Sequence, residues 1–219
     1  MINSVILNNV AKDVKNYHIL QPIDLTIPVG SVWGLTGPNG SGKTTLLKLI
    51  TGFMRPSSGS ITILGTELSK KEPFAPNTGF FFKEYGPLPN HSALGNMLAV
   101  SRLHKRNIKK AALEQLLSDV ELDAANVTHV KSFSTGMQQK LLLAMSLINE
   151  PRLLIWDEPD SALDVVSRKN LLHLITKQKQ KGTTILVSSH NQELLASCAD
   201  NMALLENSKV MPIERRHLK

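Results

Sequence analysis

Residues 32–50, VWGLTGPNGSGKTTLLKLI, constrain this chain more than any other stretch. A short β-rich run ends directly in a glycine-rich loop, and apolar residues at helical spacing follow at once. Such a unit calls for a layered α/β frame, because the strand must be buried in a sheet and the helix packed on its face. The loop fits the phosphate-binding pattern: Gly37, four residues, Gly42, Lys43, Thr44. Its glycines let backbone amides approach a phosphate closely, so Gly37, Pro38, Asn39, Gly40, Ser41, Gly42 and Thr45 form the cradle. Lys43 reaches the outer phosphates of a nucleotide, and Thr44 offers a hydroxyl to Mg²⁺.

The rest of the chain divides by periodicity. β-rich runs come first (SVILNNV, IDLTI, SITILG), separated by turn chemistry at residues 28–31 and in RPSSGS. Residues 86–148 change character: three segments with apolar residues at helical spacing and no strand between them read as an inserted helical subdomain. Beyond it, LLIWD, a helix over about residues 164–181, TTILVSS, a short helix over 192–198 and MALLE alternate. That alternation predicts a parallel sheet covered on both faces. The expected fold is a single α/β domain over 1–219, with a mostly parallel core sheet, an N-terminal antiparallel β subdomain and the helical insertion.

Three further stretches carry chemistry. LLIWDEP ends an apolar strand in Asp157 and Glu158, at the sheet edge where open α/β folds bind ligands. Asp157 can hold Mg²⁺ through its water shell, and Glu158 can act as general base on a water attacking the γ-phosphate. The plainer reading of the two acids is a capping pair before the turn at Pro159. VSSH ends another strand in His190, placed to bond and sense the γ-phosphate. FSTGM starts a helix with Ser134, Thr135 and Gly136, small and hydroxyl residues that suit an anion, yet with no lysine of its own.

Composition limits the alternatives. With 42% hydrophobic and 20% charged residues, the chain has an ordinary globular make-up. The apolar run LLLAMSLI is about a third of a membrane span, and the first ten residues alternate like a strand rather than a leader peptide. One cysteine, Cys198, excludes an internal disulfide and fits a reducing compartment. The net charge of +7 gathers modestly at residues 104–110 and in the tail from 214, without interleaved aromatics. This favours a solvated surface over nucleic acid.

Together, in this order, the phosphate loop, FSTGM, LLIWDEP, the segment DSALD and VSSH resemble the ATP-binding cassette (ABC) ATPases, the motor subunits of ABC transporters. The resemblance covers nearly the whole chain; FSTGM and DSALD are its more specific parts. It implies ATP and Mg²⁺ as ligands and ATP hydrolysis as the activity. It also implies a head-to-tail pair, homo- or heterodimeric, around two ATP molecules, with Ser134, Thr135 and Gly136 serving the γ-phosphate held by the neighbour's loop. Separate integral membrane subunits would be driven, placing the chain at the inner, cytoplasmic face of the membrane. The S-T-G-M form of the signature resembles that of exporters. The rival readings are a soluble ABC ATPase acting on ribosomes or DNA, and a weakly hydrolysing subunit paired with an active one.

The sequence departs from the family in places. Thr135 stands where glycine is usual and Met137 where glutamine is usual. Lys83 follows TGFFF where the family has a glutamine that meets the metal and the attacking water. An ammonium cannot ligate Mg²⁺. Lys83 is therefore expected to contact phosphate or turn to solvent, weakening metal coordination or altering coupling without abolishing hydrolysis. Tyr17, near the family's adenine-stacking position, either stacks on the base or covers the core edge.

Overall fold

A computed structural model of the protein describes residues 2–103 and 108–213. Four residues of the basic cluster at 104–110, and the tail from 214, lie outside the described residues. The chain opens with β1 (Asn3–Val14) and β2 (Tyr17–Pro28), an antiparallel hairpin in which Val14 faces Tyr17. Then come β3 (Val32–Thr36), α1 (Lys43–Thr51), β4 (Ser58–Ile63), β5 (Thr66–Glu67) and β6 (Thr78–Phe81). The helical stretch supplies α2 (Ala93–Ser101), α3 (Lys110–Asp119) and α4 (Thr135–Ser146). After it follow β7 (Leu153–Asp157), α5 (Val165–Gln180), β8 (Thr184–Ser188), α6 (Gln192–Cys198), β9 (Asn201–Glu206) and β10 (Lys209–Ile213).

The strands form two sheets, ordered β2-β1-β4-β5 and β10-β9-β3-β8-β7-β6. The first is antiparallel throughout; in the second, only the edge pair β10–β9 is antiparallel. Strand β6 pairs with β7 in parallel register, Thr78 opposite Leu153 and Phe81 opposite Trp156. Helices α2–α4 are thus the crossover between two neighbouring strands, which is why an insertion of that length leaves the sheet intact.

Two strands were not read from the sequence. The two-residue strand β5 is too short for a period-2 signal. The β9–β10 hairpin turns through Asn207 (φ 50°) and Ser208 (φ 63°), with Glu206 opposite Lys209. Two successive left-handed residues give the tight turn whose twist suits a hairpin, and the usual signal for it, glycine, is missing here.

Strands of the parallel sheet are buried on both faces, so alternate residues enter different cores. In β7, Leu154 and Trp156 pack with α2–α4, α5 and α6, whereas Leu153 and Ile155 pack with α1 and the antiparallel sheet. The helical insertion therefore shares one core with the sheet face beside it. Trp156, fully buried, donates its indole N–H to Ser146 Oγ at 3.0 Å and ties the end of α4 to β7. Leaving that donor unpaired would cost about 1–3 kcal/mol.

Candidate active site

The loop between β3 and α1 is shaped by contacts that no side chain could share. A Cβ on Gly37 would lie 2.1 Å from the Leu205 carbonyl oxygen, so the loop presses directly on β9. Gly42 caps α1 at φ 106°, with no side chain accepting the first amides of the helix. Those free N–H groups and the helix dipole together favour an anion. Ser41 Oγ is buried and has no hydrogen-bond partner among the described residues. An unpaired buried hydroxyl inside a ring of amides fits a phosphate oxygen.

Lys43, only 5% exposed, folds back over this loop and donates to the carbonyls of Gly37 (2.9 Å) and Pro38 (3.1 Å). Burial pushes its pKa below the ordinary lysine value, while the carboxylates of Glu158 and Asp157 oppose the change. Thr44, one residue on, donates to Asp157 Oδ2 at 2.6 Å. The second carboxylate oxygen of Asp157 accepts from Ser188 Oγ, also at 2.6 Å. Three strand ends, β3, β7 and β8, thus meet at the C-terminal edge of the sheet, as expected for an open α/β fold.

Glu158 follows β7 with φ 50°, an uncommon region for a residue with a side chain. Two bonds hold it there: its amide donates to the Ser188 carbonyl (3.1 Å) and to Ser188 Oγ (3.0 Å). The carboxylate reaches His190 Nε2 at 2.5 Å and Lys43 Nζ at 3.9 Å through Oε1, and Lys83 Nζ at 3.5 Å through Oε2. Glu158 is thus no helix cap; the next cap in the chain is Asp164, which accepts from the Ser167 amide at 2.7 Å to start α5. Lys83 neither reaches into the phosphate loop nor turns wholly to solvent, because β6 lies beside β7 and brings its ammonium to Glu158.

Ser188, Ser189, Asp160 and Gln139 escaped the sequence reading as working parts. Ser189 Oγ donates to the buried Asp160 at 2.8 Å, locking the DSALD segment to the end of β8. Serines after a buried strand carry little signal until their partners' strands are known to be neighbours.

Among the described residues, no hydrogen bond or ion pair joins Ser134, Thr135 or Gly136 to this cluster. Ser134 caps α4, its hydroxyl accepting from the Met137 amide at 3.2 Å. Buried Phe133 anchors the entry, and Gln139 bonds Ser161 Oγ (3.1 Å) and the Ala162 amide (3.3 Å). Ser134 and Thr135 stay exposed, and Gly136 faces the Ala162 carbonyl so closely that a Cβ would lie 3.3 Å away. Tyr17 does not cover the core edge; it is 73% exposed beside the first hairpin turn.

Thr44 and Asp157 offer hard oxygen donors of the kind Mg²⁺ takes when nucleotide phosphates supply the rest. Among the described residues no cluster of three His, Cys, Asp or Glu side chains forms a metal cage. No described helix is long and apolar enough to cross a membrane.

A glycine loop on a helix start, a buried lysine and an acidic strand end at one edge of a parallel sheet define a phosphate-loop nucleoside triphosphatase. Residues 20–161 match the ABC transporter family, and the chain belongs to it as an ATP-binding subunit with ATPase activity. It is 35% identical over 205 residues to the lantibiotic transport ATP-binding protein SrtF of Streptococcus pyogenes, covering 94% of this chain and 88% of that one. It is 34% identical to the uncharacterized ABC transporter ATP-binding protein YybJ of Bacillus subtilis, over 88% of each. In fold it superposes on the ATP-binding cassette MJ0796, solved as a dimer in a post-hydrolysis state with ADP and Pi. That match has a TM-score of 0.86 at 24% identity and covers 97% of this chain and 99% of that one.

Proposed function

We propose that this subunit drives transport by pairing head-to-tail with a second ABC subunit, closing around two ATP molecules and reopening on hydrolysis. The observation that carries the reading is the convergence of Lys43, Thr44, Asp157, Glu158 and His190 at one sheet edge, while Ser134 and Thr135 at the start of α4 are exposed and bond to none of them. A helix N-terminus without a cation suits a phosphate whose cation comes from the partner's loop.

In this scheme the loop amides, Ser41 and Lys43 bind the phosphates. Thr44 and Asp157 would hold Mg²⁺, which would supply neutralisation of phosphate charge when bound. Glu158 takes a proton from water as the water oxygen bonds the γ-phosphorus, and the bond to the β-phosphate oxygen breaks with its electron pair leaving on ADP. His190 donates to the γ-phosphate and ties its presence to the state of Glu158. Tyr17 is free to stack on adenine.

Separate integral membrane subunits would convert closure into substrate movement, holding the chain at the cytoplasmic face. Export is the favoured direction, supported by the resemblance of the S-T-G-M signature to that of exporters. Replacing Glu158 by Gln tests the scheme: turnover should fall about 10²–10⁴-fold, the range for loss of a general base, while ATP stays bound. Turnover at the parental rate would remove Glu158 from that role.

A further inference from the structure

The network around Glu158 is asymmetric. Oε1 meets His190 and Lys43, the two groups that the proposed scheme gives to the γ-phosphate, and Oε2, among the described residues, meets Lys83. An arriving γ-phosphate, more highly charged than a carboxylate, competes for Lys43 and His190 and strips Oε1 of both partners. We propose that Lys83 is a positioning residue for hydrolysis: it keeps hold of Oε2 when Oε1 is released, so that the carboxylate stays in the site with one free oxygen turned to the attacking water. The inference rests on the reading of Glu158 as general base.

The backbone places Lys83 for this task. Phe81 and Trp156 are register partners in neighbouring parallel strands, and Lys83 and Glu158 each follow two residues later. Neighbouring strands run about 4.8 Å apart, so an ammonium on a four-carbon stem easily spans the gap. The residue between, Phe82, is buried at 1% exposure, and its carbonyl accepts from the Tyr85 amide at 3.1 Å. The stem of Lys83 therefore leaves from a fixed point. The neighbouring acid, Glu84, is engaged elsewhere, with Lys48 at 2.6 Å. Lys83 Nζ and Lys43 Nζ thus meet different oxygens of Glu158.

The pair is partly solvent-exposed, Lys83 by 45% and Glu158 by 25%, so its contribution is modest. Lys83→Ala should lower kcat about threefold to fivefold, the effect of losing such a pair, and leave the KM for ATP within about twofold. Lys83→Arg should restore kcat, because a guanidinium also donates to a carboxylate. In a Glu158→Gln background, Lys83→Ala should change the residual rate no further. A side chain this exposed is replaceable without unfolding, and thermal unfolding of each variant checks it. Lys83→Met, which keeps the stem, serves in its place if the alanine variant is unstable.

An unchanged or raised kcat in Lys83→Ala, or a KM that rises while kcat stands, overturns the inference. So does an equal loss in the Glu158→Gln background. If Glu158→Gln itself turns over at the parental rate, the general-base reading fails and the role of Lys83 falls with it. If Glu158→Gln is slow and Lys83→Ala matches the parent, only the role of Lys83 is lost.

Discussion

The two anion-directed helix starts of this chain differ in what surrounds them. At α1 the groups are already bonded to one another: Lys43 to loop carbonyls, Thr44 to Asp157, and Glu158 to His190. At α4, Ser134 caps its own helix, and Thr135 stands in solvent beside it. The first gathers its lysine, hydroxyl, acids and histidine within one chain; the second, in the proposed pairing, adds its donors to the nucleotide held by another chain. One fold thus gathers a binding site where strand ends and a helix start converge, and leaves a second helix start open that the proposed pairing uses as an interface.

Variants of the two regions should therefore fail differently. Lys43→Ala removes charged donors from the phosphates, each worth about 1.5–3 kcal/mol, and ATP affinity of the single chain should fall by about a hundredfold. Fluorescent-nucleotide titration measures it. Ser134→Asp should leave that affinity unchanged. Aspartate caps a helix as well as serine does, so stability should hold within a few tenths of a kcal/mol. Its carboxylate would nonetheless meet the partner's γ-phosphate with like charge, and hydrolysis at pairing concentrations should drop by about tenfold or more. Equal loss of single-chain ATP binding in both variants would erase the distinction between the regions.

The comparison also shows why part of the site was legible in the sequence. Asp157, Glu158 and His190 follow apolar runs that stop abruptly and so mark strand ends without any structure, and Lys43 and Thr44 close the glycine-loop pattern that opens α1. The helices α2–α4 were equally plain, since three amphipathic periods with no strand between them leave little choice. Ser188 and Gln139 were not legible, because their partners Asp157 and Ser161 come from distant segments and depend on strand order or helix docking. Lys83 was singled out, but its pairing with Glu158 was not legible, because only the β6–β7 register brings the two together. The β9–β10 hairpin stayed hidden behind a turn of Asn207 and Ser208, residues that enter left-handed conformations less readily than glycine.

Two smaller effects sharpen the contrast by testing how the regions are joined. Ser146→Ala orphans the buried indole N–H of Trp156 and should lower stability by about 1–3 kcal/mol in urea unfolding. A loss well under that range would mean that α4 and β7 are not locked there. Asp119 links α3 to α5 through Lys177 at 2.7 Å. Burial would raise its pKa, but the hydrogen bonds from Lys177 and Gln115 outweigh burial and hold it below the ordinary value. A depressed carboxyl contributes stability that is fully present above its unfolded pKa of about 4 and lost as pH falls through its lower folded value. Asp119→Asn should therefore cost about 0.5–1 kcal/mol at pH 7 and progressively less below pH 4. An equal cost at pH 7 and pH 2 would assign the effect to packing instead.

Sedimentation velocity of the Glu158→Gln chain, with and without saturating Mg-ATP, tests most directly the claim that the signature helix is half of an interface. The expected result is a single chain without nucleotide, a pair with it, and a single chain throughout when Ser134→Asp is added. A Glu158→Gln chain that stays single with ATP, or a pair indifferent to Ser134→Asp, would contradict it.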